Sequence, residues 1–184
     1  MLRRHFTGVL LAIPCIPWLA QAQPDALSAR LRAGACVVLL RHAPTDPGIG
    51  DPSGFQLDQC STQRNLSAEG RANAERIGEW FKSRGLEPSA VQSSAWCRCK
   101  DTADLAFGRY KVWPALNSFF AESRTKEAQT AQLHAALKKI PAGTFEVWIT
   151  HQVNMTALTG EGMAMGEALV LDTTGTVLAR STFA

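Results

Sequence analysis

Two of the chain's four histidines stand where imidazole chemistry can be done. His42 sits in Arg41-His42-Ala43, directly after the apolar run ACVVLL at 35–40, and His151 follows FEVWIT at 145–150 in the same way. A third apolar stretch, at 90–92, runs into Ser93-Ser94 and then Arg98. Two imidazoles and two guanidiniums brought to one place suit a phosphoryl group. Guanidinium forks match pairs of phosphate oxygens, and a neutral imidazole can act as a nucleophile or a donor. No metal is needed for this, and a metal-dependent hydrolase lacks a third ligand at recognisable spacing. His5 and His134 have no such company: one lies in the expected signal peptide, the other within a helical stretch.

The elements that must position these residues are legible in outline. The run at 35–40 has the continuous β-branched pattern of a strand buried on both faces. Further strands are expected at 90–92, 145–150, 167–171 and 176–179. Ser67 offers an N-cap and Glu69 a first-turn acid, and Ala74, Ile77, Trp80 and Phe81 keep helical spacing up to Gly85. Helices are also expected at about 98–107 and about 126–139, the latter closed by Pro141. This alternation predicts an α/β fold, a three-layer α/β/α sandwich with a mostly parallel central sheet. In such sheets ligands bind beyond the carboxyl ends of the strands, which is where Arg41, His42, Arg98 and His151 fall. The segment 43–65 holds three prolines, three glycines and three aspartates. It reads as a long ordered loop, of the kind that often carries function.

The chain opens with Arg3 and Arg4, an apolar run at 6–20 broken by Pro14 and Pro17, and the small-x-small tripeptide Ala20-Gln21-Ala22. This predicts a signal peptide over 1–22, cleaved after Ala22, and a protein exported to the periplasm or secreted without a stable membrane anchor. Residues 23–184 suit one catalytic domain. The 19 basic residues less Arg3 and Arg4, against 16 acidic ones, leave a charge near +1. That gives no footprint for nucleic acid, so anion recognition must be local. In an oxidising compartment at least one disulfide is expected among Cys36, Cys60, Cys97 and Cys99. Cys36 reads as a small buried residue, which leaves Cys60 to pair with Cys97 or Cys99. The Cys-x-Cys spacing does not favour zinc.

These residues resemble the histidine phosphatase superfamily, also called phosphoglycerate mutase-like. VVLLRHA is similar to its strand plus Arg-His-Gly motif, with Ala43 in place of glycine. RNLSAEGR resembles its Leu-Ser/Thr-x-x-Gly helix start, SSAWCRCKDTA its Ser-Ser-x-x-x-Arg-x-x-x-Thr-Ala segment, and THQVN supplies the second histidine. The resemblance implies that His42 attacks phosphorus and becomes a phosphohistidine that water hydrolyses. Arg41, Arg98 and His151 would hold the phosphate oxygens. Gln63 and Arg64 would approach the substrate from the loop end. One branch of the family carries an aspartate after the second histidine, where this chain has Gln152. Glu122, in LNSFFAES, is the first candidate for the general acid, because nearby Phe119 and Phe120 could raise its pKa. Asp46 is the second.

The function expected from these features is metal-independent hydrolysis of a small-molecule or peptide phosphomonoester, with no cofactor. The alternatives are a non-catalytic phosphate-binding module on the same fold and a phosphoglycerate mutase-type phosphotransferase. Natural substrate and oligomeric state leave no mark in the sequence. If Cys60 bonds to Cys97 or Cys99, the bridge fastens the loop beside Arg98. Thiol labelling of the exported protein before and after reduction will then count additional thiols only after reduction; four free thiols at the start would rule the bridge out.

Overall fold

The computed structural model describes residues 25–183; the expected signal peptide lies outside the described residues. Asp25 accepts a hydrogen bond from the Ser28 amide and so opens α1 (Ala26–Ala33). Then come β1 (Cys36–Arg41), α2 (Ala68–Ser83), β2 (Ala90–Ser93), α3 (Cys97–Phe107), β3 (Lys111–Val112) and α4 (Lys126–Leu137). The chain ends with β4 (Phe145–Thr150), α5 (Gln152–Thr159), β5 (Ala168–Asp172) and β6 (Val177–Ser181). Three elements have no counterpart among those expected from the sequence. α1 and α5 are eight residues each, too short to show a full apolar stripe, and β3 is a two-residue strand. The last expected helix stops at Leu137 instead of Lys139.

The strands form one six-stranded sheet in the order β3-β2-β4-β1-β5-β6. Three pairings, β2 with β3, β2 with β4 and β1 with β4, are parallel, and β1–β5 and β5–β6 are antiparallel. Side chains along β1 alternate between the two faces. Val38 and Leu40 join Ile77, Trp80 and Phe81 of α2, while Val37 and Leu39 join Leu133 and Leu137 of α4 and Met155 of α5. Helices therefore cover both faces, and the three-layer α/β/α sandwich expected from the sequence is the fold observed.

The parallel pairing sets up the site. Arg41 at the end of β1 stands in register with Thr150 at the end of β4, and Ser93 at the end of β2 with Ile149. Three strand ends thus deliver their next residues to one edge of the sheet. The antiparallel β5 brings its entering end to the same edge, with the Gly166 amide bonded to the His42 carbonyl.

The start of α2 shows why one motif residue must be glycine. Ser67 accepts from the Gly70 amide as N-cap, and the chain leaving His42 crosses the helix at that turn. A Cβ on Gly70 would come within 1.7 Å of the Pro44 carbonyl oxygen, a backbone atom that cannot move without displacing the His42 segment. Gly70→Ala is therefore expected to destabilise the fold by about 1–3 kcal/mol through overpacking, although alanine is the better helix former. Denaturant unfolding checks this, and an unchanged midpoint would contradict the close approach.

Candidate active site

His42 and His151 leave neighbouring strand ends, and their rings meet edge-on with centroids 5.5 Å apart. Both are buried, His42 at 2 % exposure and His151 at 4 %. Their hydrogen bonds assign opposite tautomers. His42 Nδ1 lies 2.9 Å from the Ala43 carbonyl oxygen, which can only accept. The proton is thus on Nδ1, and Nε2 keeps its lone pair. His151 Nδ1 lies 3.4 Å from Arg98 Nη2, which can only donate. Its proton is therefore on Nε2, donated to Ser94 Oγ at 2.8 Å. Ser94 passes its own hydrogen to Asn117 Oδ1. The two imidazoles are held neutral and in fixed orientation by protein groups at their rear.

Three guanidiniums surround them. Arg41 donates through Nη1 to the Met163 carbonyl at 2.6 Å and to Gln152 Oε1 at 3.3 Å. Arg64 donates through Nη1 to Thr45 Oγ1 and the Gly48 carbonyl. Arg98 sets its fork on Asp51, Nη1 to Oδ1 at 2.7 Å and Nη2 to Oδ2 at 3.2 Å, in an ion pair whose side chains are 5 % and 7 % exposed. Asp51 also accepts from the Arg64 amide and the Trp96 indole. Each of the three arginines retains a buried Nε without a hydrogen-bond partner. Buried donors without a partner call for an explanation, and for these three arginines an anion in the cavity they line is one that fits.

The electrostatics agree. Burial, and then the three arginines, depress the pKa of His42 to about 3, against a partial opposing effect of the Ala43 carbonyl. His151 lies well below the usual imidazole value, through burial and then the proximity of His42 and Arg98. Burial pushes Asp51 up, but the Arg98 fork, the Arg64 amide and the Trp96 indole together hold it below the ordinary carboxylate value. Asp51 is therefore ionised. Three arginines, one aspartate and two neutral histidines give the pocket a charge of +2, the complement of a phosphate dianion. Burial and mutual repulsion also weaken the charged forms of Arg41 and Arg64, a strain that a bound dianion relieves.

A second ring of contacts fixes these groups. Thr102 Oγ1 accepts from the Ala43 amide and donates to the Arg98 carbonyl, coupling β1 to α3. Gln152 Oε1 receives both Arg41 and the Met163 amide. The disulfide Cys60–Cys97 ties the loop to the first residue of α3, next to Arg98. Between the two partners left open by the sequence, the bond thus goes to Cys97, while Cys36 and Cys99 are buried free thiols. Burial pushes the Cys99 thiol up to about 12, so it stays protonated beside His151.

The structure gathers His42, Arg41, Arg98, His151 and Arg64 around one cavity of about 520 Å³. It does not bring Gln63, Glu122 or Asp46 into that lining. Gln63 accepts from the Cys97 amide and donates to the Gln56 and Leu57 carbonyls, so its amide is consumed in holding the loop to α3. Glu122 points to Arg124 at 2.7 Å with its side chain 57 % exposed, and Phe120, expected to desolvate it, is itself exposed. Asp46 is exposed. The cavity carboxylate is Asp51 instead, which no spacing singled out among the three aspartates of the loop. Gln152, met in the sequence only as a missing aspartate, orients Arg41. Among the described residues no group of three or more His, Cys, Asp or Glu is arranged to hold a metal ion.

The model of the histidine phosphatase superfamily (branch 1) matches residues 37–173. No curated protein matches the chain in sequence. Among solved structures, the protein assigned as the phosphohistidine phosphatase SixA of Agrobacterium tumefaciens is similar at 20 % identity and TM-score 0.54, over 80 % of this chain and 97 % of its own. The protein histidine phosphatase SixA complexed with tungstate is similar at 17 % identity and TM-score 0.53, over 79 % and 95 %. TTHB049 from Thermus thermophilus is similar at 23 % identity and TM-score 0.52, over 79 % and 98 %. At these identities the likeness is one of fold.

The neutral histidines make stability depend on pH in a defined direction. Because both native pKa values lie below the ordinary imidazole value of 6.5, the unfolded chain binds more protons as pH falls from about 6.5 towards 3. Stability is then lost on acidification by roughly 1.4 kcal/mol per pH unit for each histidine. Denaturant unfolding between about pH 6.5 and 4.5 should show this slope, and His42→Gln should reduce it by about one histidine's share. An equal slope in the variant would place His42 in solvent.

Proposed function

Because the chain belongs to the histidine phosphatase superfamily, branch 1, we propose that it is a metal-independent phosphomonoester hydrolase acting through a phosphohistidine on His42. The observation that carries this reading is a neutral His42 with Nε2 unprotonated, buried in a pocket of net charge +2. The Nε2 lone pair forms the N–P bond as the P–O bond to the leaving group breaks. Arg41, Arg64 and Arg98 offset the charge on the phosphoryl oxygens. Nδ1 keeps its proton on Ala43, so the phosphorylated ring gains positive charge, which makes it a good leaving group. Water then attacks phosphorus, the N–P bond breaks, and phosphate and neutral His42 are regenerated. His151 stays neutral, its Nδ1 accepting from Arg98 and its Nε2 donating to Ser94, so it positions the Arg98 guanidinium beside His42. The Arg98 fork is taken by Asp51, so Arg98 acts on the phosphate through its charge.

The leaving group takes its proton from water in this scheme, since Asp51 is ionised and Glu122 and Asp46 lie outside the cavity. The same feature favours a second reading, a phosphoramidate substrate like the one named for the SixA proteins, because a departing imidazole needs less help than an alkoxide. We place the reaction after export, on the strength of the features at 1–22 and of the Cys60–Cys97 bond.

Aryl phosphate hydrolysis in the presence of chelator tests the reading. Wild type should turn over, and His42→Ala should lose at least about a thousandfold in kcat. Acid-labile radiolabelled phosphate should be trapped on wild type and not on the variant. Activity persisting in His42→Ala would remove the nucleophile assignment, and no turnover across a phosphoester panel would leave the binding-module alternative.

A further inference from the structure

The cavity above His42 is much larger than the few oxygens of a phosphate require, and much of its lining is apolar. Ile49, Phe55, Trp96, Phe120, Val153 and Met165 line it. Ile49 is 91 % exposed and Phe120 64 %, the two highest values among the large apolar residues described as exposed. They come from segments far apart in sequence, the loop after β1 and the stretch before α4. The segments meet at the mouth: a Cβ placed on Gly50 would lie 3.6 Å from Phe120 Cε1. Scattered exposed apolar residues need no explanation, but two gathered at the rim of an anion pocket do. The charged lining is Arg41, Arg64, Arg98 and Asp51, and besides the two histidines only Ser118 and Gln152 add polar side chains, apart from the Trp96 indole that Asp51 engages.

Resting on the phosphatase reading, we propose that this collar selects phosphomonoesters whose organic part is an aromatic, apolar group. The phosphate enters against the arginines, and the ring lies between Ile49 and Phe120, with Phe55 and Trp96 further in, 5.8 Å apart between centroids. A second observation converges on the same class. Among the described residues no un-ionised carboxylic acid lines the cavity, so a leaving group must depart without a strong proton donor. A phenolate does so far more readily than an alkoxide. On hydrolysis the P–O bond breaks with its electron pair on the phenolic oxygen, which takes a proton from water, and the phosphoryl group goes to His42.

Affinity for two non-hydrolysable phosphonates reads the collar independently of turnover. By calorimetry, wild type should bind phenylphosphonate at least about tenfold more tightly than 2,3-dihydroxypropylphosphonate. In the double variant Ile49→Ser/Phe120→Ser, both positions being exposed and tolerant of change, the ratio should fall towards one. A ratio near one in wild type, or one the double variant leaves unchanged, would overturn the proposal. Turnover of phenyl phosphate and of glycerol phosphate is measured alongside. A wild type that prefers phenylphosphonate yet hydrolyses neither ester keeps the collar and loses the hydrolase. A wild type that hydrolyses both while binding both phosphonates equally keeps the hydrolase and loses the collar.

Discussion

The buried ion pair between Arg98 and Asp51 is the constraint on which the site depends. Removing two charges from water is costly, and the cost is met only where every lone pair and donor is engaged. Asp51 meets that condition with donors from three places: the fork of α3, the amide of Arg64 at the end of the loop, and the indole of Trp96 between β2 and α3. The pair therefore closes the loop at 43–65 over the sheet edge. The disulfide from Cys60 to Cys97 makes the same connection covalently, one residue from Arg98. Breaking either partner of the ion pair would leave a buried charge alone, so the loop and the helix are held to one arrangement.

From that pair the order of the site propagates inward. Arg98 can only donate, so His151 Nδ1 accepts and its proton sits on Nε2, facing Ser94. Arg41 is fixed through Gln152, and Gln152 through the Met163 amide, so the segment entering β5 takes part in placing the guanidinium. Asp51 also sets the charge of the cavity. Without it three guanidiniums would crowd two neutral imidazoles; with it the balance is that of a doubly charged oxyanion.

The cavity lining mixes charge and apolar surface. Arg41, His42 and His151 come from the strand ends, Asp51, Arg64, Ile49 and Phe55 from the loop after β1, and Phe120 from the stretch before α4. The long loop therefore contributes both to the charged groups around His42 and to the apolar mouth of the cavity.

Sequence determined the parts that depend on near neighbours. A continuous apolar run ending in Arg41-His42 is a buried strand running into an imidazole, wherever it occurs. The cap at Ser67 and the strand before His151 are equally local, whereas the reason for glycine at 70, the Pro44 carbonyl, is tertiary. What only the tertiary structure decided were partnerships between distant residues. Asp51 and Arg98 are 47 residues apart, and an aspartate in a loop rich in proline and glycine has no period to mark it. Glu122 stood beside two phenylalanines in sequence, yet an irregular segment need not bury its neighbours together, and there Phe119 went inward while Phe120 and Glu122 stayed in solvent. Gln63 had the right position and the wrong direction, because backbone amides and carbonyls that had to be satisfied claimed its side chain first. Periodicity reports which side of an element faces the core; which charge meets which across the molecule is fixed only when the elements pack.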